Sequence, residues 1–588
     1  MKIQHILYGL MSCLLFTGCL KSSLLDQNPQ SNVSDPDFWN SSNDARLYVN
    51  NLYQKLPDYT GFGVIANFTD DDNSDNMVGR AYNKRLNAEN TLPSSGGGWA
   101  YTDWADIRNV NYFLANYSRI KDDPKNYAQY VGEAYFFRAW FYFSKLRSFG
   151  DLPWIGKPVG TSDQDIMQAP RLSRSVIVDS IVNDLDRASN LLNPKAGAEQ
   201  LRIYKEVAIG LKARIALYEG TWEKYHATDE FGVKGQDGKR FLQIAADAAK
   251  QLMDAKIFSI ENVGQTDGYF NLFNQLDYTS SKEVMFWRKY SFADGLTQSW
   301  ARYSGGGAGR GVTKDLIDSY LCTNGKPISN NSLYKGDDSL QHVALNRDPR
   351  LAQTVYIPGR MIYTAATYPG GQARIFEFPQ WGVTGDESNV TGYQLLKGHN
   401  TDYGQYDSGS PRRGTQALIY MRYGEILLIY AEAKTELGTL TQGDLDISIN
   451  LLRKRVGMPD LTLGGITADP QWQFPTLTPI INEIRRERRV ELGNEGFRFD
   501  DIMRWAAAER AFVNWKPKGA KWNQWASQFP KLIAGQNIPV DSKGYIEPFQ
   551  KTATMSNGYK FNLKRDYLLP IPTREINLNP NLKQNPGW

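Results

Sequence analysis

Tyr127 to Phe149 reads YAQYVGEAYFFRAWFYFSKLRSF and is apolar nearly all the way round a helical period, which marks a helix buried among other helices. Gly132, Ala134 and Ala139 leave room for close neighbours. Gly150 and Pro153 then stop it, glycine at the C-terminal end and proline just beyond. Working outward, helical periods recur at Asp44 to Leu56, from Trp104 onward, at Val176 to Leu192, Ile203 to Glu219 and Phe241 to Ala255, separated by short polar turns. Alanine-rich faces such as Ala245, Ala248 and Ala249 in successive helix pairs resemble degenerate tetratricopeptide-type repeats. The expected architecture is mainly α, a body of antiparallel helical pairs.

Further along, Thr415 to Leu437 and Asp444 to Arg455 read as helices, and Ile484 to Trp505, IRRERRVELGNEGFRFDDIMRW, carries the densest charge in the chain. Arg488 and Glu491 are neighbours at i,i+3, and Glu487, Glu491 and Glu495 fall on one face. Three carboxylates together suit acid and base chemistry. The adjacent arginines argue otherwise, because a guanidinium favours the ionised carboxylate. Aromatic residues at Phe497, Phe499 and Trp505 flank the charges, so the expectation is a half-buried ion-pair clamp that ties the late helices to the C-terminal tail.

Between residues 257 and 410 the helical period fades and Gly, Tyr and Trp take over, with a β-type run at Glu283 to Trp287. The chain therefore divides into a leader 1–18, a tether 19–40, a first helical part 41–256, a loop-rich insertion 257–410, a second helical part 411–510 and a proline-rich segment 511–588 draped over the body. The leader has Lys2, an apolar run from Ile6 to Phe16, and small residues before Cys19, the pattern of a bacterial lipoprotein signal with Cys19 as the lipidated residue. That run is too short to span a bilayer. Once the leader is removed, Cys19 and Cys322 remain, so disulfides do not staple the domain.

A net charge of +4 over 588 residues, without a long basic run, excludes nucleic acid as a partner. Aromatic residues make up 13% of the chain, with 15 Trp and 33 Tyr, more than a core requires, which points to flat apolar surfaces displayed to a ligand. Trp99 and Tyr101 sit on the glycine-softened turn SSGGGWAYTDW. Trp300 and Tyr303 precede SGGGAGRG, and Trp381 lies in PQWGVTG. The glycine run fits neither the dinucleotide nor the phosphate-loop spacing, so its glycines are expected to let the backbone pass close to a ligand or another loop. Asp71, Asn73 and Asp75 have the alternate spacing of a calcium loop, but Asn76 replaces the turn glycine and Tyr82 the closing glutamate, so an acidic turn is expected and no metal. No HExxH, G-x-S-x-G or Cys/His spacing is present, and no cofactor is implied.

Several segments together resemble the SusD/RagB family of Bacteroidetes outer-membrane lipoproteins: GEAYFFRAWFYFSKLRSFGDLP, RYGEILLIYAEAKTELG, INLLRKRVG, RRERRVELGNEGFRFDDIMRW and LLPIPTREINLNPNLKQNPGW, with RDPRL at Arg347 to Leu351 and NGKP at Asn324 to Pro327. They run in order along the whole chain. The resemblance implies a tetratricopeptide-like body, an inserted ligand face, a lipid anchor in the outer membrane at Cys19 facing the cell exterior, and no catalytic residues. It also implies a SusC-like TonB-dependent transporter as partner, to which captured oligosaccharides are delivered. By regional similarity Arg80, Trp99, Tyr101, Trp300 and Tyr303 fall where members place sugar contacts, with Trp381 added from its own loop. Two other readings stand beside glycan capture. Helical repeats also bind peptides, so the cargo of such a lid is open. A surface glycosidase would need a carboxylate pair flanking the substrate.

Overall fold

The computed structural model describes residues 38–59, 68–381, 388–406 and 413–588; the leader, Cys19 and most of the tether lie outside them. Helix α1 (Ser42–Tyr53) starts where the Asp44 carboxylate accepts the Ser41 N–H at 2.8 Å, and α2 (Ala105–Asn116) follows a turn of 3₁₀ helix. Pro124 opens α3 (Pro124–Phe149), where its missing N–H costs nothing, and the Asp123 side chain caps the Lys125 N–H at 3.0 Å. Then come α4 (Arg174–Leu191), α5 (Lys205–Tyr225) and α6 (Lys239–Asp254). After the insertion the body resumes with α7 (Tyr423–Glu436), α8 (Ile449–Arg455), α9 (Pro479–Glu491) and α10 (Arg498–Arg504).

The packing is sequential. Helices α1 and α2 lie on α3, α3 on α4, α4 on α5, α5 on α6, α6 on α7, and α7 on α9, so each interior helix is covered on both sides, as in tetratricopeptide-like arrays. Buried arginines link neighbours: Arg138 to Asp184 (2.7 Å) between α3 and α4, Arg174 to Glu219 (2.8 Å) between α4 and α5, and Arg504 to Glu432 (2.5 Å) between α10 and α7. A shifted neighbour would bury a charge without its counter-charge, so these pairs select one register.

Helices α5 and α6 approach closely at Gly220, where a Cβ would lie 2.7 Å from the Leu242 backbone nitrogen of α6. No rotamer relieves a clash with backbone. Gly220→Val is therefore expected to lower unfolding free energy by about 3 kcal/mol, the upper part of the usual overpacking range, as read by urea denaturation.

From Ile257 to Ala417 no helix among the described residues exceeds seven residues. The structure there is held by short antiparallel ribbons: β1 (Met77–Gly79) with β3 (Arg310–Val312), β2 (Val284–Arg288) with β6 (Leu418–Arg422), and β4 (Met361–Tyr363) with β5 (Arg374–Ile375). Strand β6 corrects the helix expected over Thr415 to Leu437. Trp287 faces Ile419 across the ribbon, and helix begins only at Tyr423. A continuous apolar run has no period to separate strand from helix, and the pairing with β2 decides it.

The tail beyond residue 511 has no helix longer than Thr573–Leu578. It lies along the body: the Leu569 N–H donates to the Ser148 carbonyl (2.8 Å), Arg171 reaches the Asn585 side chain (2.7 Å), and the Tyr567 ring meets His226 edge-on.

Candidate functional site

The charged stretch that looked catalytic is a buried salt-bridge core. Glu491 is fully buried and accepts from Arg455 (2.5 Å), Arg422 (2.8 Å) and Arg350 (2.9 Å). Glu487 pairs with Arg350 (2.7 Å) and Arg453 (2.9 Å), while Glu495 pairs with Arg422 and Lys397, both at 2.7 Å. Burial alone would raise the Glu491 carboxyl, but the Arg455, Arg422 and Arg350 guanidiniums outweigh it and hold it at about 2. A carboxylate so held is no proton donor near neutrality. Arg488 turns away from Glu491 and binds Asp501 (2.8 Å). The clamp therefore joins α9 to α8, β6 and the insertion, through Arg350 and Lys397, and not to the tail as the spacing suggested. The aspartates of the calcium-like loop complete it: Asp75 accepts from Arg498 (2.7 Å) and Arg489 (3.1 Å), and Asp71 accepts the Asn494 N–H (2.8 Å).

Four of the aromatic candidates are packing residues. Trp300 has no exposed surface, stacks on Phe68 at 5.5 Å and donates its indole N–H to the Gly398 carbonyl (2.9 Å). Tyr303, one turn on, is buried as well. Trp381 packs against Trp522 and Trp525, each at 5.3 Å, and Trp99 meets Trp104 and Phe149 edge to face. A sugar platform needs an uncovered ring face, and these rings are covered by neighbouring side chains. The glycines beside Trp300 have a related use. At Gly307, with φ of 120°, a Cβ would stand 2.8 Å from the Ser388 carbonyl, so the run lets one loop cross another.

The remaining two candidates are accessible, at separate places. Tyr101 is 75% exposed, with the Arg108 guanidinium 3.6 Å above its ring. Arg80, just beyond β1, is also exposed and donates to the Ser388 hydroxyl at 2.6 and 3.1 Å. The structure brings Arg80 near the Trp300–Gly306 helix through the β1/β3 ribbon, whereas Trp99 and Tyr101 sit at the entry to α2.

Beside that helix the insertion displays a surface that the sequence reading missed. Tyr403 and Tyr406 stack at 4.9 Å with 12° between planes, Tyr363 and Tyr368 at 5.8 Å with 6°, and the two stacks meet nearly at right angles. Tyr363 is buried and anchors the group by donating to the Ala301 carbonyl (3.0 Å); Tyr368, Tyr403 and Tyr406 are half-buried. Hydroxyls of Thr364 and Thr367 and the Asp402 carboxylate border the rings. The only signal in the sequence was tyrosine beside turn residues, in TYPGG and DYGQY.

Under the stacks His399 lies wholly buried between the Ser304 hydroxyl and the Ile362 carbonyl, both at 2.7 Å. Bonding to a carbonyl places its proton on Nε2, so Nδ1 accepts from Ser304. Burial lowers its pKa to about 4, although the Ile362 hydrogen bond works the other way. The unfolded chain, with an imidazole near 6.5, takes up the proton first on acidification, so this contribution is complete above pH 6.5 and lost as pH falls toward 4. The stability difference between the wild type and His399→Gln is expected to shrink by about 2–3 kcal/mol between pH 7 and pH 4, read by urea unfolding at each pH.

Sequence and structural comparisons bear on what this surface serves. A sequence profile for the SusD family matches residues 271–588, and one described as starch-binding associating with outer membrane matches residues 24–217. SusD-like protein P2 of Formosa agariphila is 23% identical over 98% of both chains, and SusD-like protein P38 of the same organism is 23% identical over 84% of this chain and 90% of its own. The crystal structure of a SusD-like carbohydrate-binding protein from Bacteroides fragilis superposes with a TM-score of 0.68 at 23% identity, covering 93% of this chain and all of that one. Among the described residues no helix is long and apolar enough to cross a membrane. With more than half its length inside the family profile and the paired-helix body built as above, the chain belongs to the SusD family.

Proposed function

We propose that the chain captures oligosaccharides on the tyrosine stacks of its insertion and passes them to a SusC-like TonB-dependent transporter, held at the outer membrane by lipid on Cys19 and facing the cell exterior. The observation that carries this reading is the pair of crossed stacks, of which Tyr368, Tyr403 and Tyr406 are only half-buried. A sugar ring offers one apolar C–H face and a rim of hydroxyls, so it needs a flat aromatic beside donors and acceptors. Tyr368, Tyr403 and Tyr406 supply the first, and Thr364, Thr367 and Asp402 the second. Arg80 and Tyr101 are added as outlying contacts, Arg80 through its planar fork of donors. The SusD family is one of non-catalytic binding proteins whose members pair with SusC transporters, and the profile and the Bacteroides fragilis relative both carry carbohydrate binding in their descriptions.

Affinity electrophoresis of the folded chain through gels containing plant, algal and host polysaccharides tests it. Retardation by at least one polysaccharide is expected, with no shortening of that polysaccharide on long incubation. Unaltered mobility in every gel, with retention on immobilised peptides instead, would favour peptide cargo.

A further inference from the structure

A second cavity, of about 280 Å³, opens in the helical body beside α9, close to the lower end of the range for small-molecule sites, roughly 300 Å³. It shares no lining residue with the tyrosine stacks. Arg489 and Arg498 line it and share one carboxylate, Asp75. Burial, with the Arg498 charge beside it, pulls Arg489 down to about 10 despite Asp75, as for a cation short of counter-charge. Arg510 also lines the cavity; it is exposed and forms no ion pair among the described residues.

The neighbouring carboxylates are mostly taken. Asp469 is held by Arg486 (2.6 Å), Asp318 by Lys314 (2.7 Å), and Glu436 by Arg485 and Lys224. Asp315, exposed at the rim, accepts the Trp515 indole N–H (3.2 Å) and offers Arg489 a second, more distant counter-charge, which leaves Arg510 as the guanidinium without a carboxylate among the described residues. Against this excess of guanidinium stands a half-buried aromatic wall, Trp472, with the planar amide of Gln473 bridging Arg498 (2.6 Å) and Asp75 (2.9 Å).

We propose that this cavity binds one hexuronate residue of an acidic glycan, its carboxylate held by Arg489 and Arg510 and its ring face laid on Trp472. A simple anion would leave the indole unused, and a neutral sugar would leave the guanidinium charge unmet. The inference rests on the reading of the chain as a saccharide binder and adds to it a site and a substrate class.

Titration calorimetry of the full chain with trigalacturonate, trimannuronate and glucuronate, against galactotriose and an acetylated triglutamate peptide, tests it. At least one uronate should bind, at least tenfold more tightly than galactotriose, and Arg510→Ala and Trp472→Ala should each weaken it at least tenfold at unchanged melting temperature. Tyr403→Ala combined with Tyr406→Ala should leave this binding as it is. Binding of none of the uronates, indifference to both cavity variants, or equal binding of the peptide would overturn the proposal. Uronate binding lost only in the tyrosine variant would overturn the cavity while keeping the glycan reading, and failure of every saccharide would overturn both.

Discussion

Glu491→Gln is expected to lower the free energy of unfolding by about 3–5 kcal/mol, the range for removing one partner of a buried ion pair. The glutamine keeps the shape and one acceptor oxygen but not the charge. Arg350, Arg422 and Arg455 then face one another with a counter-charge missing, in a site none of them can leave, since each is 1% exposed or less. Replacing an exposed ion pair such as Arg46 with Glu199 should cost under about 1 kcal/mol by the same measurement. The effect has a pH signature. With its folded value depressed from 4.5 to about 2, Glu491 contributes fully above pH 4.5, and that contribution is lost as pH falls through 2. The variant should therefore approach the wild type in stability on acidification. Glycan affinity of the folded fraction should not change, because Glu491 lies in the clamp and not in the tyrosine surface. Equal urea midpoints for variant and wild type at pH 7 would contradict this account of the clamp.

The largest expected functional effect is that of Tyr403→Ala combined with Tyr406→Ala. Each ring supplies stacking area and stiffens the other, and loss of an aromatic contact of this kind is worth about 0.5–1.5 kcal/mol beyond its buried area. Together the two substitutions should weaken binding of the captured oligosaccharide by about a hundredfold, some 2.7 kcal/mol. Both rings are only half-buried, so the stability lost should be smaller than on emptying a fully buried site. Trp300→Ala should do the reverse: it empties a fully buried volume, losing stability by about 3–5 kcal/mol. The pair of variants separates a displayed aromatic from a packed one.

That distinction marks how far the sequence could be read. The helices were legible because burial leaves a period: Gly150 and Pro153 end α3 as expected, α4 and α6 begin and end close to their apolar repeats, and α5 begins near its own but runs on to Tyr225. The partners of the clamp were not. Glu491 reaches Arg455, Arg422 and Arg350, which lie 36, 69 and 141 residues away, whereas spacing along one helix suggests only Arg488. Aromatic residues in glycine-rich loops were misread for a physical reason. Glycine permits a ring to face a ligand and equally permits two loops to cross over a buried ring, and at Gly307 and Trp300 the second holds. The tyrosine stacks arise from two loops separated by more than thirty residues, brought together by the Thr364 N–H bond to the Thr401 carbonyl and the Tyr403 N–H bond to the Thr367 hydroxyl. No local pattern records that meeting.

The central claim is that a glycan is held on those stacks. The most direct measurement is a crystal structure of the chain with an oligosaccharide from the polysaccharide that retards it. A sugar ring is expected within about 4 Å of the Tyr403 or Tyr406 face, the distance of apolar contact, with its hydroxyls toward Thr367 or Asp402. A well-ordered sugar bound elsewhere, with the tyrosine faces bare, would contradict it.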